Sequence, residues 1–467
     1  MNFVSVEFWL LLLLCLGSIL SFRAVLAARG FSHLAQFDRA SLLGTSLLLF
    51  YFADRLSFAI HVAELGFSFI VLQAALRSGK RRRLVLEILF ITVNLLPLVW
   101  FKYGDFLLNR VLHLGWNAPR NYIPAGISFY TFQLIALGVD TLRRNEKLPR
   151  LLNFFNFVTF FPQIVAGPIE RRASLLPQIT GFRWRVSVAT LLDGCPWLVL
   201  GLFYKLVLAD NLSPFILRGV SDNPWTVWLT SILFGLRIYF DFAGYSFIAL
   251  GVARILGVRL TMNFLAPYSA CSIREFWQRW HITLSTWFRD YVYFPLGGNR
   301  RGVWEFNIFA VFLISGMWHG AGFNFLLWGA AHGALLVMHG WFSKVGYAMP
   351  RVIGWLLTSV AVTFSWLFFY ESDLSLLEKK IRLLLTPSAY STGSLREVRH
   401  AYAITDWAPL IVICSLCFFV LLIEMLGRRK AENPYAALLS WPACLGLAAV
   451  VAIGAASGEG QFIYFAF

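Results

Sequence analysis

Eight histidines are the side chains of this sequence best suited to moving protons near neutral pH. Three of them stand in settings that set them apart. His319 lies in ISGMWHGAGFNFLLWGAAHG, deep in an apolar region, next to Trp318 and among Gly316, Gly320 and Gly322. An ionisable group at such depth is costly and faces a cavity or a partner, and glycines beside it let a neighbouring helix or a substrate chain come close. Spacing alone supports two readings equally: a neutral imidazole bonded across helices, and a general base. Burial without a carboxylate keeps the ring neutral, which is the form a base needs. His281 closes the polar stretch Arg274-Glu-Phe-Trp-Gln-Arg-Trp-His281. From position alone an interfacial anchor is its stronger reading, since Trp277 and Trp280 accompany it, and Ser285 offers a hydrogen bond without completing a triad. His332, thirteen residues beyond His319 in a small-residue helix, reads as packing glue. Asp241, in IYFDFAGYS, is the main acidic residue inside an apolar run and is placed to orient a partner. His33, His113 and His400 fall in expected loops, and His61 and His339 near the ends of apolar runs.

Several common chemistries lack their signatures. There is no GxxxxGK[ST] and no GxGxxG after a strand, hence no nucleotide machinery of those kinds, and neither HExxH nor GxSxG occurs. The six cysteines are scattered through apolar runs. Cys414 and Cys417 are one turn apart with no second pair or His to complete a metal site, so no metal and no tightly bound cofactor are expected.

The elements that must hold these residues are membrane helices. Hydrophobic residues make up 58% of the 467 and charged ones 14%, against roughly 25% charged in a soluble domain; the mean hydropathy is +0.67. Runs long enough for a bilayer core of about 30 Å recur at 4–27, 41–53, 56–77, 84–108, 122–142, 187–209, 225–250, 304–323, 325–343, 352–370, 408–427 and 440–456. They predict an all-α polytopic membrane protein with about eleven or twelve crossings, residues 304–343 being the ones that could divide differently. The first run reads as a retained anchor, lacking a convincing cleavage site. The net charge of +16 sits in short clusters between the runs, such as Lys80 to Arg83 and Arg428 to Lys430. That is the pattern of cytoplasmic loops facing anionic lipid, so the partner is membrane lipid and not nucleic acid. Basic loops at 28–40, 78–83, 143–150, 251–260 and 428–430 share the cytoplasmic side if the N-terminus is outside, and 210–224 is then external.

Three stretches are not simple spans. Residues 151–179 carry Pro162, Gly167 and Pro168 within an aromatic run and predict a re-entrant segment lining a cavity. Residues 261–302 are too rich in Arg to cross, and Glu275 and Arg279 can pair on one helical face. Residues 371–407, external by the topology, contain LSLLEKKIRLLL and predict an amphipathic surface helix followed by a loop.

Taken together, EFWQRWHITLSTWFRDYVYFPLGGNR within 272–302, Ser315-Gly-Met-Trp-His319-Gly-Ala, Trp328-Gly-Ala-Ala-His332-Gly333, Phe160-Phe-Pro-Gln-Ile-Val-Ala-Gly-Pro-Ile169, Tyr239-Phe-Asp-Phe-Ala-Gly-Tyr-Ser246 and the terminal FIYFAF resemble the membrane-bound O-acyltransferase (MBOAT) family. The similarity is to its bacterial branch, which contains alginate O-acetyltransferase and the D-alanyl transfer protein of teichoic acids. It is strong over about 84–345, within what reads as a single membrane-embedded domain spanning 1–467. The resemblance implies a ring of helices around a central acyl-transfer tunnel. It places the family's essential membrane histidine on His319 and the second recurrent one on His281. His319 would then take the proton of a hydroxyl acceptor as it attacks an acyl thioester, and His281 would position the donor or polarise its carbonyl.

The resemblance further implies a multi-pass protein of the bacterial inner membrane. Its donor substrate would be an acetyl thioester (acetyl-CoA or an equivalent), and it would relay acetyl to a periplasmic SGNH-type acetyltransferase that modifies an exopolysaccharide of alginate or cellulose type. Peptidoglycan O-acetylation and D-alanyl transfer to teichoic acid are the alternatives within the family. An exporter or flippase that stacks sugars on the aromatic core would explain the 18 Trp but not the paired histidine motifs.

Overall fold

The computed structural model describes residues 3, 5–115, 122–164, 167–216, 223–299, 303–346, 349–391, 393–394, 398, 402, 407–430 and 433–455. Among these every regular element is helical. Each of the twelve apolar runs coincides with a helix. Eight of the helices among the described residues are long and apolar enough to cross a bilayer. The runs at 41–53, 122–142, 304–323 and 440–456 fall on Leu34–Ala53, Ile127–Arg143, Trp304–His319 and Trp441–Gly454. Three of these are 17, 16 and 14 residues long, at or below the lower end of what a crossing needs at 1.5 Å per residue. Large apolar side chains such as Leu13, Leu14, Ile353 and Ile453 lie on the outside, a surface that lipid accepts and water does not.

The chain divides into two compact units. The first comprises Met1–Leu198 and Tyr245–Met262. Its opening helices are joined by an ion pair between Arg23 and the buried Asp38 at 2.7 Å. Asp54 caps Arg55–Leu76 by accepting from the backbone of Leu56 and Ser57, meeting two of the donors a helix start leaves open. The expected break at 151–179 is present. The segment forms Leu151–Thr159, Phe161–Ile164 and Arg172–Thr180, none longer than nine residues and so none able to span. The buried Glu170, just before the third of these helices, accepts from the Thr261 backbone at 2.5 Å and from the Thr261 and Ser174 hydroxyls. Burial raises its pKa above the ordinary carboxylate value.

The second unit comprises Val199–Gly244 and Asn263–Phe467, and it carries all three singled-out histidines. Of residues 261–302, the described part, 261–299, holds no helix long enough to span; its α-helices are Ile273–Arg279 and Ile282–Phe288, seven residues each. Glu275 pairs with Arg279 at 3.1 Å as the spacing predicts, and Arg428 joins the same carboxylate. The amphipathic helix expected in 371–407 is Leu374–Leu384, capped by Asp373. Lys380, on this helix that the sequence places at the surface, is not a surface charge. It is buried, 2.6 Å from Glu371 and 5.3 Å above the Tyr370 ring, because its position on the helix faces inward beside Leu377 and Leu384.

Asp241 is likewise not the main buried acid of the spans. Glu64, Asp210 and Glu424 are buried in spanning helices as well, the last two at the edge or in the middle of runs too apolar for a single acid to register. Asp241 pairs with a lysine: it and Asp210 hold the fully buried Lys205 ammonium at 2.6 and 2.7 Å. Lys205 sits in a π-helical turn, Phe203–Ala209. Across from it is Gly244, where a Cβ would lie 2.9 Å from both the Gly201 carbonyl and the Lys205 amide nitrogen. Only glycine allows that approach.

Candidate active site

The polar helix predicted to end at His281 ends two residues earlier, at Arg279. His281 is the hinge between the two short helices, with φ +43° and ψ 54°. This left-handed conformation costs a non-glycine L-residue roughly 1–2 kcal/mol and is the kind of strain that collects at functional sites. The surroundings impose it. Leu265 and Arg279 exchange hydrogen bonds, the Ile282 amide donates to the Asn263 carbonyl at 2.9 Å, and the Thr283 hydroxyl donates to Asn263 Oδ1 at 2.6 Å. Ser285 does not serve the imidazole; its hydroxyl donates to the Trp280 carbonyl. The His281 ring is fully buried, edge-on to Phe242 at 4.6 Å. Burial pushes its pKa down to about 3, so at working pH it is a neutral imidazole.

His319 is the last residue of Trp304–His319. Gly320 to Gly322 turn the chain back into Phe323–Lys344. The glycines serve helix packing: a Cβ on Gly316 would fall 2.2 Å from the Phe325 carbonyl, and one on Gly329 would fall 2.3 Å from the Phe312 carbonyl. The two helices therefore meet backbone to backbone. That contact sets His319 at 1% exposure among Trp318 (4.9 Å between ring centroids), Trp328 (4.8 Å) and Phe369 (5.4 Å).

Trp318 also packs on the His281 ring, at 5.8 Å. The two histidines singled out by the sequence are thus brought to one indole. His332 joins them. Its ring is 4.7 Å from Trp328 and its Nδ1 accepts from Trp277 Nε1 at 3.3 Å, which leaves the proton on Nε2. The result is an alternating file of rings: His281, Trp318, His319, Trp328, His332, Trp277. The hydrogen bond across helices agrees with packing glue, but sequence spacing could not show that His332 flanks the same indole as His319. Trp318 and Trp328 were visible only as neighbours of histidines. Of the remaining histidines, His33 and His113 are exposed as expected, and His61 is in the first unit, where its Nε2 lies 3.1 Å from the Thr159 hydroxyl. His400 and the terminal FIYFAF lie outside the described residues.

A buried imidazole packed on the same indole as a second one is suited to taking a proton from a hydroxyl and returning it to a departing group. Set beside the all-helical, multi-pass fold, the chemistry is that of acyl transfer within a membrane. A profile of the membrane-bound O-acyltransferase family matches residues 83–372, and the chain belongs to that family; it is an O-acyltransferase. Among its relatives are the peptidoglycan O-acetyltransferase of Helicobacter pylori, 31% identical with 92% of each chain covered, and the probable alginate O-acetylase AlgI of Pseudomonas aeruginosa, 34% identical over 74% of this chain and 67% of the relative. The teichoic acid D-alanyltransferase of Bacillus subtilis is 31% identical over 54% of this chain and 68% of its own length.

Proposed function

We propose that this acyltransferase passes an acetyl group from a cytoplasmic thioester, acetyl-CoA or an equivalent, across the bacterial inner membrane for O-acetylation of an envelope or secreted polysaccharide. The last step is carried out through a periplasmic SGNH-type acetyltransferase. The single observation that supports it best is the file of rings in which one indole contacts both His281 and His319. His319 is the base: it takes the proton of the acceptor hydroxyl while the hydroxyl oxygen bonds to the thioester carbon, and it returns that proton to the sulfur as the C–S bond breaks. An imidazole can do both, and no net proton is consumed. His281 holds the donor from the side of 261–302, which the basic flanks assign to the cytoplasm.

The acceptor has two readings. Similarity to the alginate O-acetylase supports an exopolysaccharide. Similarity over nearly the whole of both chains to a peptidoglycan O-acetyltransferase supports a cell-wall glycan. Alkali-labile acetate, measured separately on purified exopolysaccharide and peptidoglycan from wild-type and His319→Ala strains, decides between them. The acceptor is the polymer whose ester content drops to background in the variant. Normal esters on both polymers, with the variant protein present in the membrane, refute the assignment.

A further inference from the structure

Attack on a thioester carbonyl places negative charge on its oxygen, and a site that accelerates the reaction must direct a donor at that oxygen. The rings packed on His319 are Trp318, Trp328 and Phe369. None carries a formal charge; what the two indoles can offer such an oxygen is an N–H dipole. The Gly320 amide is committed to the Gly316 carbonyl at 3.4 Å. Of the nearby indoles, Trp277 gives its N–H to His332. Trp328 is different. It is 1% exposed, and its Nε1 has no acceptor within hydrogen-bonding distance. Leaving such a donor unmet in a dry interior is unfavourable, and residues that fold around it without answering it leave it for something that arrives later.

The surroundings also hold the ring still. His332 packs on it at 4.7 Å, Phe369 at 5.6 Å and Trp277 at 5.7 Å, and His332 is itself fixed through its bond from Trp277. Trp328 lies in the second turn of its helix, next to Gly329, where the backbone closely approaches Trp304–His319, so its distance to His319 is set by backbone contact.

We propose that Trp328 is a catalytic residue of the acyl transfer, its indole N–H receiving the thioester carbonyl oxygen as negative charge builds on it. The proposal rests on the acyl-transfer reading above. In the addition step the acceptor oxygen bonds to the carbonyl carbon, the hydroxyl proton passes to His319, and the C=O π pair moves onto the oxygen held by Trp328. In the collapse that pair re-forms C=O, the C–S bond breaks, and the thiolate takes the proton back from His319. The N–H stays on the indole throughout.

The test uses inverted membrane vesicles of the native host, which retain any periplasmic partner, supplied with acetyl-labelled acetyl-CoA, with ester-linked acetate as the readout. Trp328→Phe keeps an aromatic ring and removes the N–H. A second variant carries 3-benzothienylalanine at position 328, in which sulfur replaces the N–H at nearly unchanged shape. Both should lower kcat by about 10²–10³-fold, the cost of one such donor, with KM for acetyl-CoA within about twofold of wild type. Loss in Trp328→Phe with full rate in the benzothienyl variant would mean that ring volume matters and the N–H does not, overturning the proposal. So would a wild-type kcat in both. Wild-type vesicles that transfer no more label than His319→Ala vesicles would instead refute acyl transfer from this donor, and the proposal with it.

Discussion

Two buried polar regions of the second unit are built on opposite plans. Around Lys205, charge meets charge: two aspartates hold one ammonium. In the same unit the Glu424 carboxylate accepts from the hydroxyls of Tyr204 and Tyr239, the latter at 2.8 Å to both oxygens. Around His319 the neighbours are aromatic faces and edges, and the indole N–H of Trp328 is unanswered. The first region commits its charges to one another and so fixes the helices. The second keeps a base and a donor in a dry, neutral setting where a reacting group gains most from them. Burial of a polar side chain therefore does not mark function in this protein; what the side chain has been left to do does.

Substitutions should separate the two plans. His319→Ala should give the largest effect, a fall in transfer of about 10²–10⁴-fold as expected for a lost general base, with normal amounts of inserted protein; acetyl ester per unit of protein on an immunoblot measures both. Lys205→Met should do the reverse. It leaves two buried carboxylates facing each other, a break that costs about 3–5 kcal/mol, so the yield of detergent-stable protein should collapse while activity per surviving molecule changes little. A Lys205→Met protein that folds normally and loses transfer would place Lys205 in the chemistry and not in the framework.

A smaller effect separates the histidines. His281→Ala should raise KM for the thioester, whereas His319→Ala should leave donor binding by calorimetry intact; the opposite pattern exchanges their roles. Stability should also carry the mark of His281. Above pH 6.5 neither folded nor unfolded imidazole binds a proton. Below it the unfolded ring takes one that the buried ring, held down to about 3, refuses, so stability should fall by about 1.4 kcal/mol per pH unit between those limits. Thermal unfolding in detergent from pH 7.5 to 5 should show a shallower slope for His281→Asn. The mildest test is of side: a cysteine at the exposed Asn299 should react with an impermeant maleimide only after permeabilisation, and labelling in intact spheroplasts would reverse the topology.

Much of this was legible from one-dimensional pattern. Hydropathy located every helix that carries an apolar run, because a helix that meets lipid must be apolar over most of its length. The Pro162 and Pro168 breaks and the Glu275–Arg279 pair follow from local rules. The histidine motifs pointed to the site through family resemblance more than through spacing. What stayed hidden depends on where helices cross. That Trp328 lies between His319 and His332 follows from the contact at Gly316 and Gly329, which a helical period does not encode. The burial of Lys380 and the company of Lys205 were hidden for the same reason: a cation in sequence looks solvated until its carboxylate is found.

The turn at His281 has a consequence for how this position is inherited. A left-handed backbone there would be met more comfortably by glycine or asparagine, and selection on folding alone should drift toward them. A histidine tolerates that conformation better than most side chains but less well than glycine. Substitution scans scored for abundance and for acetylation should therefore disagree most at this position, with glycine and asparagine enriched in the first and depleted in the second.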